Sequence, residues 1–451
     1  MGDAERVPSA RFRDVLADGE FRALFAAQLV SVAGDQLARV ALSVLVYDRT
    51  RSPGWTATTY ALTFLPDLVG GPLLSGIADR RPRRTVMVTA DLLRTALVAA
   101  MVPAAAPLWL VGALVAVVQV FNTPWGAARA ALLAQILTGE RYVVGQAMFN
   151  VATQTAQVVG FGLGGVIVAG LGPHGALAVD AATFAGSALL VRLGVRHRAA
   201  AIGEPADGSS AHLSWWGQVR AGVALVWTSL RLRALVALAC VSGIYIAAEA
   251  LAAPYAAGIG VGAVAVGLLF AAYPTGAVVG MVLLPRLSAG QRLRWMVPMA
   301  MLSCAPLAGC VWRVGLVPTL ALWTAGGMAS AYNLTASTAF VQTVPNARRG
   351  QAFGLAVTAL RVTQGLGVVI AGLAAQRWPA HVVVAAGWRW RTFPRQAASP
   401  DSAAGDQTRQ TDAYAYDCVS HRDVRTWAET MIMGSPDTWE PIVASSGTRL
   451  A

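Results

Sequence analysis

The feature that most constrains this chain is a succession of apolar stretches about twenty residues long, set off from one another by arginines, Gly and Pro. Runs of that length have no polar face for water, so they suit helices surrounded by lipid better than helices laid on a soluble core. Such windows lie near 23–47, 57–78, 86–106, 108–130, 144–171 and 174–194, and then near 232–254, 262–285, 295–312, 316–344 and 351–375. Eleven windows predict an all-α polytopic membrane protein. Charge content agrees: 13% of the 451 residues are charged, where a soluble domain carries about 25%.

The net charge of +12 is the mark of basic connections between spans, and no RNP, zinc or basic-helix motif accompanies it. A nucleic-acid partner is therefore excluded from the reading. Alternate connections carry 21 arginines on one side and four, Arg49, Arg51, Arg313 and Arg377, on the other. The positive-inside bias then predicts a cytoplasmic N-terminus. The basic residues are all Arg, and an Ala-rich, Lys-free composition fits a high-GC bacterial genome and hence a bacterial inner membrane. Without Lys no P-loop can form, so work must come from a gradient. Five scattered histidines give no metal spacing and no nucleophile triad, and four cysteines give no disulfide framework. Neither an enzyme, a metal nor a cofactor is expected.

The connection Ser75-Gly76-Ile77-Ala78-Asp79-Arg80-Arg81-Pro82-Arg83-Arg84 resembles the loop between spans two and three of the major facilitator superfamily, with Ser75 and Pro82 where that family has glycines. Ala156 with Gly160-Phe161-Gly162-Leu163-Gly164-Gly165 resembles the superfamily's exporter-associated Gly-Pro-x-x-Gly-Gly motif, Phe161 replacing Pro. The bare alternative for Gly160, Gly164 and Gly165 is a small-residue ladder for close helix packing. Further similarity, in Gly34-Asp35, Asp91 to Arg94 and Val344 to Gly350, is to enterobactin exporters and macrolide-efflux-like permeases. The resemblance covers roughly residues 20–375. It implies two six-helix bundles, with spans five and eight packed together through Gly276 and Gly280 on span eight. The implied division is an N-terminal arm (1–22), a first bundle (23–194), a central cytoplasmic loop (195–231) and a second bundle (232–387). It also implies gating by Asp79, Arg80, Arg83 and Arg84, with Asp91 and Arg94 in the same network. The span-four Arg of many proton-driven members is missing here.

Ionisable residues at mid-bilayer need a partner or a task. Asp35 and Arg39 are one turn apart on one face, able to neutralise each other, and Gln28 continues their stripe. Asp67 has no basic residue within a turn; it is either a proton carrier or the partner of Arg361 on span eleven. Glu249, which shares a face with Ser242 and Tyr245, is the third proton-coupling candidate. Polar stripes on span five (Gln146, Asn150, Thr153, Gln154, Gln157) and span four (Gln119, Asn122, Thr123), with Gln364 on span eleven, either glue helices together or line a substrate path. The expected function is secondary active transport, proton-coupled export of an amphiphilic drug, antibiotic or siderophore by a monomer. Uptake of a small nutrient, or a remnant without transport, are the alternatives. The twelfth span stops after about ten apolar residues, and the polar stretch 388–451 reads either as a frameshifted end or as a genuine external tail.

Overall fold

The computed structural model describes residues 12–64, 81–198, 229–344 and 349–386. Asp67, Asp79 and Arg80, the central loop 199–228 and the region after 386 lie outside the described residues. Every regular element among the described residues is helical. After a short helix α1 (Phe12–Leu16), α2 spans Gly19–Thr50. Asp18 caps α2, its carboxylate accepting the backbone N–H groups of Glu20 and Phe21 at 2.8 and 3.0 Å, and Arg51 ends it in a left-handed conformation. Thirty-two residues give a rod of about 48 Å. Ser52 and Pro53 then start α3 (Pro53–Ala61) at once, an N-cap followed by the one residue that has no N–H to satisfy.

α4 (Arg83–Ala99) and α5 (Leu108–Ile136) follow. α6 (Gly139–Gly194) is two rods rather than one. Gly172 has φ 73° and ψ 171°, outside helical space, and Pro173 follows it. The break falls where the sequence places the boundary between spans five and six.

In the second half the seventh window is segmented into α7 (Leu230–Cys240), α8 (Ser242–Ala250) and α9 (Ala252–Gly258). α10 (Ala263–Leu283), α11 (Ala289–Leu302) and α12 (Leu316–Ala329) come next, with a 3-10 turn Ala305–Trp312 extending the ninth window. α13 (Tyr332–Thr343), α14 (Arg349–Ala374) and the stub α15 (Ala380–Ala386) complete the fold. Seven helices among the described residues are long and apolar enough to cross a bilayer.

Three buried cores show how the halves meet. One lies at the arginine-rich end of the first half (Phe21, Met87, Leu133, Phe149) and a second at the same end of the second half (Leu232, Met296, Tyr332, Phe340). The third, at the opposite end, belongs to both halves, joining Leu45, Tyr60 and Phe161 to Leu251, Phe270 and Trp323. Rings interlock there, with Phe270 5.2 Å from Phe161 and 5.6 Å from Tyr60 between centroids. The two halves are thus welded at the arginine-poor end and separate at the arginine-rich end.

Glycines set the closest crossings. A Cβ at Gly165 would lie 2.9 Å from the Ala263 carbonyl oxygen and from the Gly267 Cα, so the fifth and eighth windows touch backbone to backbone. The other expected contacts are corrected. Gly160 and Gly164 face α2, meeting Ala33 and Leu37, while Gly276 and Gly280 face α12, meeting Thr324 and Met328. Gly267 is the partner on α10 that the ladder spacing did not single out.

Candidate functional site

Between the halves lies a cavity of about 550 Å³. It reaches from Arg39, Glu249 and Tyr273 at mid-depth to Val236, Met281 and Phe340 at the arginine-rich end. Its wall is mainly apolar, with few charges. Among the described lining residues these are Arg39 from α2, Glu249 from α8 and Arg361 from α14. Both guanidinium groups lie over one aromatic ring, Arg39 at 5.2 Å and Arg361 at 5.6 Å from the Phe64 centroid. Glu249 is buried and accepts the Tyr60 hydroxyl at 3.0 Å across the two halves. Tyr245, one turn before Glu249 on α8, stacks on Tyr273 of α10 at 4.0 Å. Gln364 donates to Ser242 at 3.3 Å, fixing α14 against α8.

Of the expected path residues, Gln154, Tyr245 and Gln364 line this cavity. Gln28 is buried and reaches Thr153 at 3.5 Å, which makes it a tie between α2 and α6. Asn150 is exposed and accepts from Gln146. Asn122 is half-buried outside the cavity wall, and Gln119 borders a separate small void of about 30 Å³ together with Asp35, Arg39 and Asp180. Arg39 is therefore common to the walls of both spaces.

Asp35 is not paired with Arg39. Its two carboxylate oxygens accept Arg94 Nη2 at 3.0 Å each, and Arg94 Nη1 reaches Asp91 at 3.5 Å and Ser31 at 3.4 Å. Asp91 in turn accepts the Trp125 indole N–H at 3.0 Å and the Ser187 hydroxyl at 2.7 Å. The guanidinium stacks 3.9 Å from the Phe184 ring centroid. Four helices, α2, α4, α5 and the second rod of α6, meet on the Asp91–Arg94 pair. Asp91 and Arg94 are wholly buried, so they form a bundle centre and not a surface gate. The cause is depth: Arg94 stands eleven residues, about 16 Å, beyond Arg83. Arg83 and Arg84 do stay at the arginine-rich end, donating to the carbonyls of Ala131, at 3.1 Å, and Arg192. Cations there complement the C-terminal turns of neighbouring helices.

Asp180 escaped the reading of the sequence. It is 1% exposed on the second rod of α6, with Thr183 as its hydroxyl neighbour at 3.3 Å, and it borders the small void beside Asp35. A single acid amid the apolar run Leu177 to Phe184 was the available signal.

Comparisons with known proteins agree with this architecture. No curated protein sequence matches the chain. The solved structure of the nucleoside transporter NupG superposes with a TM-score of 0.63 at 12% identity, covering 82% of this chain and 96% of that one. A POT family transporter in complex with 5-aminolevulinic acid gives 0.62 at 12% identity, over 82% and 93%. A bacterial homologue of the human lysosomal transporter Spinster, inward-facing and unoccupied, gives 0.61 at 13% identity, over 80% and 83%. At these identities the likeness is one of fold. The sequence itself matches the Major Facilitator Superfamily model over residues 24–368, so the chain belongs to the major facilitator superfamily of membrane transporters.

Proposed function

We propose that this protein is a proton-coupled exporter of an amphiphilic small molecule, working by alternating access in a bacterial inner membrane with its N-terminus in the cytoplasm. The observation that carries the reading is the asymmetry of the halves: one shared core at the arginine-poor end, two separate cores around a cavity at the other. With arginines on the cytoplasmic side, the cavity opens inward. The likeness to a Spinster homologue captured inward-facing supports that state. A mainly apolar wall with a few placed polar groups suits an amphiphile, and the glycine run at 160–165 resembles an exporter motif.

Proton coupling is assigned to Asp35 and Asp67, with Glu249 as the further candidate. Asp35 shares the wall of the small void with Arg39, and Arg39 also faces the large cavity, so charge at one space is felt in the other. Asp35→Asn and Asp67→Asn are expected to keep the protein in the membrane and abolish accumulation driven by an imposed pH gradient in proteoliposomes. Unchanged pH-dependent transport in both would overturn the assignment and move it to Glu249→Gln. Orientation has its own test. A cysteine at position 82 in an otherwise cysteine-free chain should resist impermeant maleimide in intact cells and react in broken ones; labelling in intact cells would reverse the topology.

A further inference from the structure

Four polar side chains of the cavity wall carry a buried atom with no hydrogen-bond partner among the described residues: Arg39 at Nε, Tyr273 at its hydroxyl, and Gln36 and Gln364 at their amide oxygens. Tyr273, Gln36 and Gln364 are each more than nine-tenths buried. A buried polar group without a partner is costly, and four such groups on residues that line one space point to a ligand there, taken up with a small shift of the side chains, as the source of the missing partners. The charge on the wall says which kind. Glu249, the one carboxylate among the described lining residues, is engaged by Tyr60, and Arg39 is the cation that reaches both the cavity and the small void beside it. Asp35, the nearest acid to Arg39 in sequence, is held by Arg94. Arg39 lies near the Glu249–Tyr60 pair without a salt bridge to it within 4.0 Å, and its guanidinium rests against the Phe64 ring. In the wall of the same cavity the stacked pair Tyr245 and Tyr273 offers a flat apolar surface.

We propose that the substrate is an organic anion with a planar apolar body, its acid group bonded to Arg39 and its body lying against the tyrosine pair. This names the substrate class of the transport cavity and rests on the transporter reading above. Carboxylate on guanidinium is a charge-assisted bond, and Arg offers it in a planar fork. The Tyr273 hydroxyl and the two glutamine side chains then serve polar groups on the body of the ligand.

The test uses the full chain in lipid nanodiscs and three matched probes: naphthalene-2-carboxylate, naphthalene-2-carboxamide and 2-naphthylmethylammonium. The carboxylate is expected to raise the thermal unfolding midpoint and bind at least about tenfold more tightly than the other two. Arg39→Gln should remove that preference, and Arg39→Lys, which keeps the charge, should retain part of it. If Arg39→Gln fails to fold, the preference of the wild-type chain and of Arg39→Lys decides the matter. Equal or tighter binding of the ammonium or the amide, no binding of the carboxylate, or a carboxylate preference that survives in Arg39→Gln would each overturn the proposal. Alternating access is measured from distances between the halves, so a cation-selective transporter would defeat this inference and leave that reading standing.

Discussion

Arg94→Leu is expected to destabilise the protein by about 3–5 kcal/mol, enough to remove most folded material from a detergent extract. The reason is the company Arg94 keeps. Removing it strands Asp35 and Asp91, both within 3.5 Å of its guanidinium, and at Asp91, which is wholly buried, water cannot replace the lost cation. Arg94→Lys should fall between, since an ammonium keeps the charge and loses the bidentate fork to Asp35. Fluorescence-detected gel filtration after a temperature ramp reads both variants. An unfolding midpoint for Arg94→Leu equal to that of the wild type would show that the arginine is not the clasp of this half.

Gly165→Leu is the second large effect, and it is functional rather than structural. A Cβ there already lies 2.9 Å from two backbone atoms of the facing helix, so a leucine cannot be accommodated while the arginine-poor ends of α6 and α10 are closed. The halves can relieve the clash by parting at that end, which shifts the population away from the state in which the arginine-poor end is closed. The variant should fold, bind ligand from the opposite face and transport at least about tenfold more slowly, since the state closed at the arginine-poor end becomes a minor species. A variant that transports at the wild-type rate would mean that this contact opens and closes without bearing on the cycle.

The sequence discloses different layers of this molecule unequally, for physical reasons. Lipid demands long apolar helices, so windows such as 108–130 and 262–285 coincide with α5 and α10. The break between the two rods of α6 was legible because Gly172-Pro173 is a sharp local stop. Pairings between helices were not. Asp35 reads naturally as the partner of Arg39 because a helix displays its own i,i+4 neighbours, whereas Arg94 reaches it from another helix 59 positions away. The Gly276 and Gly280 spacing defines a face but not what covers it, and α12 covers it. For the cavity, Tyr245, Gln154, Gln364, Arg39 and Glu249 were within reach of a search for polar residues in apolar helices. Tyr273 and Phe64, which carry the aromatic surface, are indistinguishable in sequence from ordinary core rings. Polar stripes overreached in the other direction, since Asn150 extends the stripe of Gln154 to a turn that faces outward.

If the two halves rock about the cavity, distances measured across its two ends change in opposite directions. In a chain whose native cysteines are replaced by serine, spin labels at Gln135 and Arg286 report the arginine-rich end, and labels at Ala105 and Val317 report the opposite end; all four positions are exposed. Adding ligand or changing pH in nanodiscs should populate a second state in which the first distance shortens as the second lengthens. Two distances that stay single and fixed under every ligand and pH condition would contradict alternating access in this protein.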